Sequence, residues 1–281
     1  MKKQLPQVLL GIGILSLSVL SLKSFSIDPK KGYVLTPDSV GVKYESLTVR
    51  TADGYDLRTW IYQPKEDVNN DTVLILAYPD KNNMSYWVYY AATFAARGYT
   101  VVTFDYRGFG QSDDFPVNRN FEYHTEFIDD LIAVARETDS RFPHRKIGVW
   151  ALSMGTIIAT RAMDHLKGNI DFVIGEGFVT DLEKVVDRIE KAKHSNLVLP
   201  ENSRQYQKSL RRLRVPLLIF AASDDVITTK EDAIDLQKKK ANCQVVIYAG
   251  DHLRGFQAGE GPFGQFYIDE IDKFLASAFG R

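Results

Sequence analysis

Cysteine is almost absent from this 281-residue chain, since Cys243 is its single example. One cysteine makes no intrachain disulfide, so the hydrophobic core must hold the fold alone. Cys243 precedes the strand-like run QVVIY, which favours a buried small apolar side chain over a reactive thiol. The core can be large, because 44% of the residues are hydrophobic and the length suits one α/β domain.

A surplus of charge of either sign is also missing. Lysine plus arginine number 35 and aspartate plus glutamate number 36, which gives a net charge of −1. Nucleic acid binding, which needs a clustered basic excess, is therefore not predicted. The sequence also lacks the spacing of a metal site, a Walker loop and a dinucleotide fingerprint, so neither a metal nor a cofactor is predicted.

The first 26 residues differ from the rest of the chain. Lys2 and Lys3 precede an uncharged and mostly apolar span, residues 4–22. A short positive region followed by about 15 apolar or small residues is typical of a secretory signal, and it is short for a spanning helix. We expect an exported protein of the cell envelope, periplasmic or secreted, with residues 1–26 as a cleaved signal. An anchor through residues 4–22, and with it membrane association, stays open as the alternative.

The remaining chain has the pattern of a single domain. Residues 27–41 are polar, contain two prolines and are predicted to be a linker. From 42 to 281, strand-like runs alternate with helix-like segments, and Asp53-Gly54 between two alternating runs predicts a hairpin. This pattern predicts an α/β fold with a mostly parallel sheet, helices on both faces and a small helical insertion at 179–214.

A serine lies between a strand-like and a helix-like stretch in VWALSMGT. Catalytic groups of such a sheet lie at the carboxyl ends of the strands, where Ser153 is expected. A sharp turn there crowds the side chains two positions before and after the serine, and the small Ala151 and Gly155 meet that requirement. Ser153 is therefore predicted to be a nucleophile, which needs a base to remove its proton.

A base and an acid follow later strands. His252, in YAGDHLRG, comes directly after the last strand, while the other four histidines favour ordinary surface roles. An acid must fix the tautomer of this imidazole and stabilise its positive form. Asp224 and Asp225 both follow the preceding strand, and Asp181 follows an earlier one. The order serine, aspartate, histidine is that of α/β-hydrolases.

With these residues the chain resembles the α/β-hydrolase superfamily over residues 42–280. The resemblance rests on ALSMG, FDYRGFGQSD, SDDVIT and GDHL, and it lies in a branch with monoglyceride-lipase-like esterases and serine aminopeptidases. SDDVIT is similar to the D-x-x-V-P acid loop of that superfamily. The resemblance therefore implies Asp224 as the acid that orients His252.

The stretch LAYPDKNNMS resembles the oxyanion loop of the same branch but departs from it. Tyr78-Pro79 stands where His-Gly is usual. Proline has no N–H to donate, so the resemblance implies the backbone N–H groups of Asp80 and Met154 as oxyanion donors.

These features predict an exported serine hydrolase, most simply a carboxylesterase whose substrate is a small to medium ester. Ser153 would attack the carbonyl, His252 would act as base and then acid, and water would release the acyl-enzyme. A peptidase or thioesterase with the same triad is an alternative, because no residue separates these substrates. The altered oxyanion loop favours a further alternative, a non-catalytic binding protein on a hydrolase scaffold.

Overall fold

A computed structural model describes residues 26–193 and 196–280. Its strands are β1 (Asp28–Pro29), β2 (Tyr44–Arg50), β3 (Asp56–Tyr62), β4 (Thr72–Ala77), β5 (Lys81–Asn82), β6 (Thr100–Phe104), β7 (Lys146–Leu152), β8 (Phe172–Glu176), β9 (Leu217–Ala222) and β10 (Cys243–Tyr248). Its α-helices are α1 (Val88–Ala96), α2 (Glu126–Arg141), α3 (Met154–Ala162), α4 (Leu182–Lys193), α5 (Tyr206–Arg212), α6 (Lys230–Lys239) and α7 (Gln265–Phe279).

Eight strands form one sheet in the order β10-β9-β8-β7-β4-β6-β3-β2. The strands from β10 to β6 run parallel, while β3 is antiparallel to both β6 and β2. Every residue of β4, β6, β8 and β9 is buried, as expected for continuous apolar runs inside a covered sheet. The predicted α/β class is confirmed, and the predicted hairpin joins β2 to β3.

The helices cover this sheet through apolar faces that their sequences define. In α2, the side chains of Phe127, Leu131, Val134 and Thr138 are buried, and their spacing of three or four residues places them on one side of the helix. Helix α3 is buried along its whole length, and all of its residues except Arg161 are apolar or small. This burial fixes the start of α3 firmly against the end of β7.

Residues 26–41, which we call the N-terminal strap, pack against the domain, so the prediction of a linker at 27–41 is wrong. Ile27 is fully buried, and β1 pairs in parallel with β5. The Asn83 side chain donates to the carbonyls of Lys30 and Gly32, at 2.9 and 2.8 Å. The polar composition misled because the partners of the strap, such as Asn83 and β5, are distant from it in the sequence.

The predicted signal or anchor lies in residues 1–25, outside the described residues, apart from Ser26. No helix within 26–193 and 196–280 combines the length and the apolar character needed to cross a bilayer. The predicted insertion at 179–214 contains α4, a 3₁₀ turn at Ser203–Gln205 and α5, and it lies between β8 and β9. His194, within this insertion, also falls outside the described residues.

Candidate active site

Ser153 occupies a sharp turn between β7 and α3. Its φ of 49° and ψ of −116° are unusual for a residue with a side chain and cost on the order of 1–3 kcal/mol. The Ser153 N–H donates to the carbonyl of Glu176 at 2.9 Å. A Cβ on Gly155 would lie 1.9 Å from the Ala77 carbonyl oxygen, so only glycine fits there. The turn thus has the geometry that the small flanking residues predicted.

The imidazole of His252 connects this serine to a carboxylate. Nε2 of His252 lies 3.1 Å from Ser153 Oγ, and Nδ1 lies 2.6 Å from Asp225 Oδ2. With its proton on Nδ1, the neutral ring donates to Asp225 and accepts the hydroxyl proton of Ser153. This chain of contacts is the arrangement that activates a serine for attack on a carbonyl.

The carboxylate that contacts His252 belongs to Asp225, so the prediction that Asp224 orients His252 is wrong. Asp224 is exposed and accepts a hydrogen bond from the Ser223 hydroxyl. Asp225 is buried, and its Oδ1 accepts from the N–H groups of Ile227 and Thr228 at 2.8 and 3.0 Å. This local turn after β9 points the second aspartate, and not the first, towards the sheet edge where His252 lies.

The other candidate acid, Asp181, also has a different role. Its Oδ1 accepts from the N–H groups of Glu183 and Lys184, at 3.1 and 3.3 Å, so it caps the first turn of α4. It lines a separate cleft, of about 720 Å³, with Lys184 and charged residues of α5 and α6. Neither Ser153 nor His252 lines that cleft.

The contacts of Asp225 and His252 shift the protonation of both groups. Burial raises the pKa of Asp225, but hydrogen bonding to His252, the charge of His252 and the Thr228 hydroxyl outweigh it and lower this pKa to about 2. Burial lowers the pKa of His252, but the hydrogen bond and charge of Asp225, followed by the charges of Glu176 and Asp80, raise it above the ordinary value. The site therefore stabilises the imidazolium that forms when Ser153 is deprotonated.

A cleft of about 470 Å³ opens beside Ser153 and His252. The strap contributes Ser26 to its wall, and the insertion contributes Ile189 and Leu197. The remaining lining residues are Pro79, Asp80, Lys81, Asn82, Trp87, Glu122, Asp225, Val226, Ile227, Asp251 and Leu253. Within 26–193 and 196–280, no group of three or more histidine, cysteine or acidic side chains could hold a metal ion.

The two residues predicted to donate to an oxyanion are both close to this cleft. Met154 follows the serine as the first residue of α3, and Asp80 lies in the wall of the cleft. The Asp80 carbonyl accepts from the N–H of Asp28 in the strap at 2.9 Å. The fully buried Tyr78 accepts the N–H of Tyr106 on its hydroxyl at 3.3 Å, which fixes the other end of the loop.

Two residues beside His252 escaped the sequence analysis. Gly177 has a φ of +60°, and a Cβ there would lie 2.6 Å from His252 Cε1, so the imidazole packs directly on this glycine. Glu176, one position earlier, is a buried carboxylate at the end of β8. The available signal was the run DFVIGEG, in which a charged residue between two glycines ends an otherwise apolar strand.

Known proteins are similar to parts of this chain. A family model described as serine aminopeptidase, S33, matches residues 83–177, which include Ser153. The Saccharomyces cerevisiae protein "Uncharacterized membrane protein YNL320W" is 30% identical over 160 residues, which are 57% of this chain and 54% of that protein. The chain thus matches about half the length of this curated relative.

Solved structures share the architecture. Pyrococcus furiosus esterase Pf2001 superimposes with a TM-score of 0.70 and 20% identity, covering 90% of this chain and 98% of that chain. XC6422 from Xanthomonas campestris, described as an α/β serine hydrolase without lid, gives 0.53 and 18%, covering 83% and 91%. At these identities the likeness shows the fold. The chain therefore has the α/β-hydrolase fold, and the family model that matches residues 83–177 is in keeping with the superfamily that its sequence resembles.

Proposed function

We propose that the protein is a serine esterase that cleaves small to medium carboxylic esters. The observation that carries this proposal is the chain of contacts from Ser153 through His252 to Asp225. Ser153 Oγ attacks the ester carbonyl as Nε2 of His252 takes its proton, and the alcohol leaves with that proton. Water then attacks the acyl-enzyme and loses a proton to His252, which passes it to Ser153 Oγ as the acid is released. A cleft of about 470 Å³ suits such substrates.

In this mechanism the tetrahedral oxyanion is stabilised by the backbone N–H groups of Met154 and Asp80. One donor of this kind lowers the barrier by about 3 to 4 kcal/mol. The contact between Asp80 and the strap supports this assignment, because it limits the movement of the loop that carries the donor.

A peptidase is the second candidate, and the lining of the cleft favours it in one respect. Asp80, Glu122 and Asp251 line the cleft together with Asp225, and among the described residues that line it Lys81 is the only lysine or arginine. Such an acidic wall would attract the amino group of a peptide, in keeping with the aminopeptidase family model. Thioester cleavage requires no different residue.

We also propose that the protein is exported. The charged, then apolar, N-terminal sequence supports it, whether a signal that ends before Ser26 is cleaved or residues 4–22 are retained as an anchor. The protein would then act in the cell envelope.

A fluorophosphonate probe tests the nucleophile, since the probe attaches covalently to an activated serine. Wild type should be labelled and should hydrolyse p-nitrophenyl acetate, and Ser153→Ala should lose both properties. Ser46→Ala, at an exposed position of β2, is the matched control and should behave as wild type. Faster turnover of aminoacyl p-nitroanilides than of esters would favour the peptidase, and an unlabelled wild type would favour a binding protein.

A further inference from the structure

Glu176 is a buried carboxylate that the mechanism above does not use. It ends β8, where its side chain accepts the Tyr248 hydroxyl and the Gly255 N–H on Oε1, both at 2.7 Å. Its own carbonyl accepts the N–H of Ser153 at 2.9 Å. Burial of an acid costs free energy unless its oxygens find donors, and here the donors come from elements distant in sequence.

These two donors mark the ends of the segment that carries the catalytic imidazole. We call residues 249–254 the histidine loop, which begins after Tyr248 and ends before Gly255. The Tyr248 hydroxyl also accepts the N–H of Arg254 at 3.1 Å, so both ends of the loop meet at one carboxylate. A Cβ on Gly255 would lie 2.7 Å from the Tyr267 ring, which shows how closely this end of the loop is packed.

The charge of Glu176 also faces the imidazole. Burial raises the pKa of Glu176, and the Tyr248 hydroxyl, the Gly255 N–H, the charge of His252 and the Tyr267 hydroxyl oppose that rise. The other ionisable groups that act on His252 are Asp225, in direct contact, and Asp80, across the cleft. Asp225 therefore provides the contact with His252, while Glu176 acts on the ring through its negative charge.

We infer that Glu176 is a positioning residue, which holds the histidine loop in place and stabilises the protonated imidazole of His252. This inference rests on the proposed serine hydrolase mechanism for its effect on rate. Its effect on the protonation of His252 can be measured without any turnover.

Loss of the negative charge of Glu176 should change the pKa of His252 in one direction. The charge raises the pKa of His252, so Glu176→Gln should lower that pKa. The imidazole must be neutral to accept the serine proton, so activity falls as pH falls through this pKa. The acid limb of the pH profile should consequently move to lower pH in Glu176→Gln. Tyr248→Phe removes a donor but keeps the charge, so it should lower the rate without this movement.

The experiment measures the rate of fluorophosphonate labelling against pH for the full chain, together with the NMR titration of His252. A small displacement of a catalytic group can lower the rate of reaction by up to about 100-fold. We therefore expect the probe to label Glu176→Gln and Tyr248→Phe about 10- to 100-fold more slowly than wild type. Only Glu176→Gln should shift the labelling profile and the His252 titration to lower pH.

The outcomes separate the inference from the proposed function. An unlabelled wild type refutes the serine hydrolase, and the NMR titration still tests the charge effect. A labelled wild type with an unshifted titration in Glu176→Gln refutes the inference, as does a shift to higher pH. If Glu176→Gln does not fold, Tyr248→Phe tests the inference. A wild-type labelling rate in Tyr248→Phe would show that the hydrogen bond to Glu176 does not position the histidine loop.

Discussion

The two sides of the cleft are each organised by one buried carboxylate at the end of a strand. On the side of the histidine loop, Glu176 follows the buried core of β8 and binds Tyr248 and Gly255. On the side of the oxyanion loop, Asp105 follows β6 and binds the N–H of Met84 at 2.9 Å and the Tyr33 hydroxyl of the strap. Both acids connect segments that are far apart in the chain.

The difference lies in what each acid supports. Glu176 lies near the titratable imidazole of His252, the proposed base, so its own charge affects the protonation of that ring. Asp105 supports a loop whose proposed catalytic group is a backbone N–H, which does not titrate in this range. Substitutions on the histidine side should therefore act on rate and pH dependence. Substitutions on the oxyanion side should act first on the stability of the fold.

The largest expected effect on the histidine side comes from the acid itself. Asp225→Asn should lower kcat/KM by up to about 10⁴-fold, because an amide fails to stabilise the imidazolium and favours the wrong tautomer. Asp224→Asn is the matched control, and it should leave ester turnover close to wild type because Asp224 is exposed and its side chain bonds to Ser223, whereas Asp225 bonds to His252. Steady-state kinetics of both variants would contradict the assignment of Asp225 if the order of their losses were reversed.

A smaller loss should follow from Gly177→Ala, which places a methyl group against the imidazole. The Cβ would lie 2.6 Å from His252 Cε1, so the ring must move away from Ser153. Such displacement should lower kcat by about 100-fold. Gly168→Ala provides the control, since it has a φ of +88° but open space around the new Cβ. An equal loss of kcat in the two variants would show that backbone strain, and not the contact with His252, causes the loss.

The smallest effect on rate, and the clearest effect on stability, is expected on the oxyanion side. Asp105→Asn leaves one acceptor oxygen for the N–H groups of Met84 and Gln111 and the Tyr33 hydroxyl. The free energy of unfolding should fall by about 1–3 kcal/mol, as for other buried groups left without a partner. Urea unfolding measures this loss, and Tyr33→Phe should cost less because it removes one of the three bonds. If the acid limb of the pH profile of Asp105→Asn moved to lower pH, as expected for Glu176→Gln, the two sides of the cleft would not differ in this way.

Most of this architecture could be predicted from the sequence because its signals are local. Continuous apolar runs located the buried strands, and the small residues around Ser153 predicted its sharp turn. His252 was identified because it directly follows the last strand. In each case the position along one element is sufficient to place the residue at the correct edge of the sheet.

The wrong or missed predictions concern contacts between residues distant in the sequence, or a choice between two adjacent residues. Asp224 and Asp225 are adjacent, and only the turn after β9 determines which of them faces His252. Glu176 lies 72 and 79 residues from its partners Tyr248 and Gly255, so no sequence window contains the set. The strap was misjudged for the same reason, since its partner β5 lies more than 50 residues away in the sequence.

Burial of the first residues of the strap limits where the chain can be processed. The Ile27 N–H donates to the Arg119 carbonyl at 3.1 Å, and the Ser26 hydroxyl donates to Glu122 at 3.1 Å. A cut between Ser26 and Ile27 would remove the second contact and leave a new ammonium group on a fully buried residue. Such a charge is costly to bury, so if the predicted signal is cleaved, we expect the cut to fall before Ser26 and not after it, as residues 1–26 had suggested.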